Sequence, residues 1–242
     1  MRRPLHRRRE RVRYPNRTEP RERADMSRRS ATTRNRTLAA ETFDAARVVH
    51  LVGAASADEY AEGVAWYHVA HDHAARYGAA YGVSTDAAAG IIAALSPQLN
   101  WDLNLRYAET FLRTGGDPSG HFAHCDRKAT AILHGADPLS TLGGPKVRSF
   151  YRNIANPDAS GAVTVDRHAC AVLYGTDTPT YLRTLPKFLD RRHVYQLAAA
   201  RYRGAARTLG LAPHVCQAVA WVAHRNAQGA RIPAATDTYA GF

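Results

Sequence analysis

The chain has 242 residues, 45% of them hydrophobic, and a formal net charge of +12 at pH 7. That is enough apolar content and length for one large domain or two small ones with a buried core. No stretch reaches the ~20 apolar residues of a membrane span, no apolar segment follows the N-terminal charges as a secretory signal requires, and three widely spaced cysteines exclude a disulfide framework and a zinc-ligand spacing.

The charge is concentrated at one end. Residues 1–36 hold 14 arginines against four acids, a net +10, which leaves about +2 for the other 206 residues. This Arg-rich arm, taken as residues 1–37, lacks apolar periodicity and is expected to be disordered. It reads either as a nucleic-acid arm acting by counterion release or, if Met26 is the start, as upstream read-through over residues 1–25. Reduced thiols and the absence of a leader point to a cytoplasmic protein.

Helical spacing begins at Leu38 and runs to Ala55 through Phe43, Val48 and Val52. Ser56 can cap a second helix, about 57–80, which Gly82 stops. Ser84 or Thr85 caps a third, 85–95, apolar nearly all round and therefore buried; Pro97 ends it. Helices follow at 101–112 and 127–133, with a short turn at 138–142. After the Gly143-Gly144-Pro145 hairpin comes a helix over 146–154. The β-branched run Val163-Thr164-Val165 is strand-like, and Asp166 opens a helix to Leu173. Helices over 190–209 and 213–226 close an all-α domain spanning 38–227, and residues 228–242 read as a loose tail.

Three stretches carry chemistry. In GGPKVRSF, two glycines turn the chain into a helix N-terminus, whose free N–H groups and dipole favour an anion. Lys146 and Arg148 add cations there, so Gly143, Gly144 and Arg148 suit a DNA phosphate; a plain helix corner with glycine caps is the alternative. In VTVDRHAC, an Asp before a helix is an N-cap, and at a cleft it is also a fixed negative charge able to stabilise a sugar cation. In SPQLNW, Gln98, Asn100 and Trp101 follow a buried helix and suit hydrogen bonding to a base edge and stacking on its face. Capping of the next helix by Asn100 beside a core tryptophan explains them equally. His68-x-x-His71-x-His73 has metal-ligand residue types but reads as one wet helix face, and Cys170 reads as a buried small side chain. No metal site and no cofactor is expected.

The ordered set resembles the HhH-GPD superfamily of DNA glycosylases, of which endonuclease III is a member, over about residues 84–225. Ser96-Pro97-Gln98 matches the serine–x–glutamine loop that feeds the base gap. Leu142-Gly143-Gly144-Pro145 and the following helix match the helix-hairpin-helix, and Val165-Asp166-Arg167-His168 matches the V-D-x-H box. The resemblance implies a two-lobed helical fold that binds double-stranded DNA as a monomer. It makes Asp166 the catalytic carboxylate and Gln98, Asn100, Trp101 and His168 the pocket for a flipped base. Bifunctional relatives carry a nucleophilic lysine where this chain has Arg148, which cannot form a Schiff base. Lys146 stands two residues earlier, about 200° round the helix, and is the remaining catalytic candidate. A monofunctional hydrolase acting on a damaged or modified base is therefore expected. Cys216 stands alone where some relatives carry four cysteines, so no iron–sulfur centre is expected. Relatives also occur in bacteriophages that modify thymine, so a hypermodified thymine is an alternative substrate, and a non-catalytic helix-hairpin-helix DNA-binding module is the alternative to an enzyme.

Overall fold

The computed structural model describes residues 43–116, 122–175 and 192–227. The Arg-rich arm, the first expected turns at 38–42 and the tail at 228–242 lie outside them. Among the described residues there are ten helices and no strand. They are α1 (Ala45–Ala54), α2 (Ala57–Tyr81), α3 (Thr85–Leu95), α4 (Trp101–Arg113), α5 (Ala123–Leu133), α6 (Pro138–Thr141), α7 (Pro145–Ala155), α8 (Arg167–Tyr174), α9 (Arg192–Leu209) and α10 (Pro213–Ala227). No single helix among the described residues is long and apolar enough to cross a membrane.

Local polar residues set the helix starts. Ser56 and Glu59 form a reciprocal capping box on α2, with hydrogen bonds of 3.2 and 2.9 Å. Ser84 accepts the Ala87 N–H at 3.0 Å to open α3, and Asn100 accepts the Leu103 N–H at 2.9 Å to open α4. Asp137 and Asp166 do the same for α6 and α8. The helix after residue 123 begins four residues earlier than its sequence signal, with Phe122 at its N-cap and no side-chain cap. The run 163–165 is extended, as its β-branched residues favour, but it pairs with no strand among the described residues.

The apolar interior divides into two clusters. The first is built on α3, buried at every position from Ala88 to Leu95, and takes in residues of α2, α4, α5 and α7. The second gathers residues of α1, α8, α9 and α10 together with Val163 and Val165. The α2–α10 contact is the most extensive between any two helices and joins the clusters: α10 contributes Ala218 to the first and Cys216, Val219 and Ala220 to the second.

That joint depends on Gly63, in the second turn of α2. A Cβ placed there would stand 2.5 Å from Val219 Cα and 2.7 Å from Val219 N. The two helix backbones therefore touch, and the helix tolerates a poor helix former to allow it. Gly63→Ala is expected to lose about 1–3 kcal/mol in urea denaturation, the scale of forced overpacking. Gly53→Ala, at a helical glycine with nothing within 4 Å, should instead gain up to about 1 kcal/mol. Equal midpoints for the two variants would contradict the close approach.

Candidate functional site

The hairpin is a turn between two helices. Leu142, the C-cap of α6, is buried, and Gly143 and Gly144 follow it. Gly144 has φ 73° and ψ 149°: the ψ suits the extended preference before Pro145, and the positive φ is open to glycine. Gly144 offers no side chain to cap α7, so the first N–H groups of that helix, at Lys146 and Val147, have no intrahelical acceptor. The space a side chain at Gly143 would fill belongs to Lys128 of α5: its Nζ lies 2.9 Å from an ideal Cβ there. Neither Lys128 nor Lys146 pairs with a carboxylate of the described residues. Arg148 turns back on the hairpin instead, and its Nε donates to the Leu142 carbonyl at 2.7 Å. The hairpin mouth thus carries two ammonium groups, a guanidinium and the positive end of a helix.

Asp166 is the N-cap of α8. Its Oδ1 accepts the Ala169 N–H at 2.8 Å, and the residue is half-buried. One carboxylate oxygen is engaged by the cap, and the other is not. The run leading to it is clamped from two sides. Tyr195 of α9 donates its hydroxyl to the Val163 carbonyl at 2.6 Å and accepts the Val165 N–H at 3.2 Å, with Ser149 Oγ of α7 at 3.1 Å. Asn153 of α7, with no exposed surface, donates to Thr164 Oγ1 at 3.1 Å and accepts from Ser160 Oγ. Behind this, Tyr67 of α2 donates to Gln217 Oε1 of α10 at 3.2 Å. Burial raises the pKa of Tyr67, Tyr195, Tyr202 and Cys170, and the charge of Asp166 adds to the rise in all four. These phenols stay protonated and can donate, and Cys170, fully buried, stays a thiol.

The SPQLNW loop sits on α7 from another side. Trp101 packs against Trp66 at 5.0 Å, His73 at 5.9 Å and Phe150 of α7 at 6.2 Å between ring centroids. Its indole is therefore a half-buried member of an aromatic cluster rather than an open platform. Asn100 Oδ1 is taken by its cap. Gln98 is exposed and has φ 64°, the one non-glycine residue with positive φ among the described residues. A left-handed glutamine carries roughly 1–2 kcal/mol of backbone strain, which is characteristic of loops whose geometry serves a ligand. His168 lies in the first turn of α8, with Arg167 Nε 3.2 Å from its Nε2.

The structure brings these motifs to one helix. The first turn of α7 carries Lys146 and the hairpin, Phe150 meets Trp101, and Ser149 and Asn153 hold the run that ends in Asp166. No hydrogen bond or ion pair joins Lys146 to Asp166. The expected wet histidine face is corrected: His73 is 2% exposed and its Nδ1 lies 2.9 Å from Arg76 Nη2, while His71 Nδ1 lies 2.8 Å from the Ile154 carbonyl. Only His68 is exposed, 3.7 Å from Asp158. The reason is that α2 is packed along most of its length by α3, α7 and α10. No group of three or more metal-ligating side chains assembles among the described residues.

Sequence reasoning missed Lys128, Asn153, Tyr195 and Gln217. Of these, only Asn153 left a signal, as a polar residue on the buried face of an amphipathic helix. Tyr195→Phe is expected to destabilise by about 1–3 kcal/mol, because it strips partners from the buried Val163 carbonyl and Val165 N–H. A calorimetric melt unchanged from wild type would contradict that clamp.

No curated protein and no solved structure matches the chain. One family model does, over residues 30–228, described as "Family of unknown function (DUF7178)". Since the match covers most of the chain, including every motif on α7 and α8, the protein belongs to the DUF7178 family.

Proposed function

We propose that the chain is a DNA base-excision glycosylase on an HhH-GPD-like, two-lobed scaffold, acting as a monomer on double-stranded DNA. The observation that carries the reading is the convergence on α7. A single rigid helix bears a cation-lined, uncapped N-terminus at one end and braces the segment presenting a half-exposed carboxylate further along. A phosphate held at Lys128, Lys146 and the first N–H groups of α7 would fix the DNA backbone without reading sequence. The nucleotide to be processed then has to leave the stack to reach Asp166.

At Asp166 the chemistry needs one charge and one free oxygen. The bond between the sugar C1′ and the base nitrogen breaks, and its electron pair leaves with the base. The carboxylate stabilises the cationic sugar as it develops. Its uncapped oxygen takes the proton of the water that attacks C1′. Lys146 is the only lysine beside the hairpin on α7, and its lack of any link to Asp166 favours a monofunctional hydrolase. The strained Gln98 loop, resting on α7 through Trp101, is the element that would meet the base edge, with His168 at the carboxylate's side. The same layout suits a hypermodified thymine as well as a damaged base. A second reading, a non-catalytic DNA-binding module, is favoured by one observation: the cap bond to Ala169 is by itself a sufficient structural role for Asp166.

Asp166→Asn separates the two. Asparagine caps nearly as well as aspartate, so stability should change by well under ~1 kcal/mol. Excision should fall at least ~100-fold, the scale of losing a preorganised electrostatic group, while DNA binding holds. A normally folded variant that excises at the wild-type rate would rule the mechanism out. The hairpin is tested by salt titration. Lys128→Ala and Lys146→Ala should each flatten the dependence of log K on log salt by about 1, and unaltered slopes would remove the phosphate grip.

A further inference from the structure

A pocket of about 310 Å³ opens on the far flank of α7, away from the hairpin end. It is lined by Ser149, Arg152 and Asn156 of α7 and its C-cap, by the loop 159–162, and by Arg203 of α9. Its volume is at the lower end of the ~300–1,000 Å³ range of small-ligand sites, and its lining differs from theirs in being polar and cationic. No carboxylate lines it. The guanidinium groups of Arg152 and Arg203 make no hydrogen bond or ion pair with the described residues, so two unneutralised charges from two different helices meet at one concavity.

The walls are fixed rather than loose. Ser160 Oγ donates to the buried Asn153, and the Ala159 N–H donates to Asn156 Oδ1 at 3.1 Å. The nearest acid of the loop, Asp158, is exposed outside the lining, its Oδ1 3.7 Å from His68 Nε2. Gly161 leaves its side of the pocket open, with nothing within 4 Å of where a Cβ would be. The C-terminal end of the α7 dipole opposes an anion here, but it amounts to roughly half a charge against two full ones.

We propose that this pocket binds a phosphate group carried on a small organic body, a nucleotide being the size that fits. Arg152 and Arg203 grip the phosphate from opposite walls with charge-assisted, forked hydrogen bonds, and the Ser149 hydroxyl and Asn156 amide take the rest of the ligand. The phosphate can come from a free mononucleotide or from the DNA backbone, and the pocket requires no catalysis by Asp166.

Calorimetric titration of the full chain with inorganic phosphate, a deoxynucleoside monophosphate and a short duplex tests this, for wild type, Arg152→Ala and Arg203→Ala. Both arginines are exposed, so the variants should fold as wild type does, which circular dichroism checks. Each should weaken binding about tenfold or more, the scale of one charge-assisted hydrogen bond. Loss of mononucleotide binding assigns the site to a free nucleotide; a weakened duplex in a protein that ignores the mononucleotide assigns it to the DNA backbone. Arg207→Ala, at an exposed arginine of the same helix α9 that does not line the pocket, should bind the mononucleotide as wild type does, and the titration reads binding without excision, which keeps this result apart from the excision assay. Failure of all three probes to bind, or binding indifferent to both variants, would overturn the proposal.

Discussion

The contact between Gly63 and Val219 is the joint on which the molecule turns. With no side chain at Gly63, α2 and α10 meet backbone to backbone, and the two apolar clusters become one framework. The elements of the candidate site lie on opposite sides of this joint. α7, with the hairpin and Phe150, belongs to the first cluster, and Val163, Val165 and α8 belong to the second. A spacer at Gly63 would push apart surfaces that the proposed chemistry needs in register.

The seam between the clusters is polar where it passes under Asp166. Asn153 bonds Thr164, Ser149 meets Tyr195, and Tyr67 bonds Gln217, each pair reaching from one side to the other. Every such bond has a net worth of only about 1 kcal/mol, but leaving one member buried and unpaired costs about 1–3 kcal/mol. The seam therefore acts mainly by excluding other arrangements: any slip between α7 and the 163–165 run leaves polar groups stranded in a dry interior. That is how a carboxylate at the N-cap of a short eight-residue helix can be held in a fixed relation to a hairpin some twenty residues earlier.

Much of the fold was legible because its punctuation is local. Ser56, Ser84, Asn100 and Gly82 act on backbone groups three or four residues away, and the helices begin and end where these residues stand. The buried character of 85–95 was legible because it lacks a polar face. The candidate site was legible only in part. Asp166 as a cap and Gly144 as a turn are properties of a few adjacent residues. Lys128 over Gly143 and Tyr195 against Ser149 depend on tertiary packing across 15 and 46 positions, and nothing in their own neighbourhoods announces it. His73 was misjudged for the same reason: helical spacing says which residues share a face, but not how many neighbours surround a 25-residue helix.

The central claim is that this framework releases a base from DNA. The most direct measurement is mass spectrometry of the small molecules freed when the protein is incubated with duplexes carrying damaged bases and hypermodified thymines. The mechanism proposed at Asp166 predicts a free base, with an intact strand left carrying an abasic sugar. Duplexes bound tightly yet recovered with every base in place would contradict it and leave a DNA-binding module.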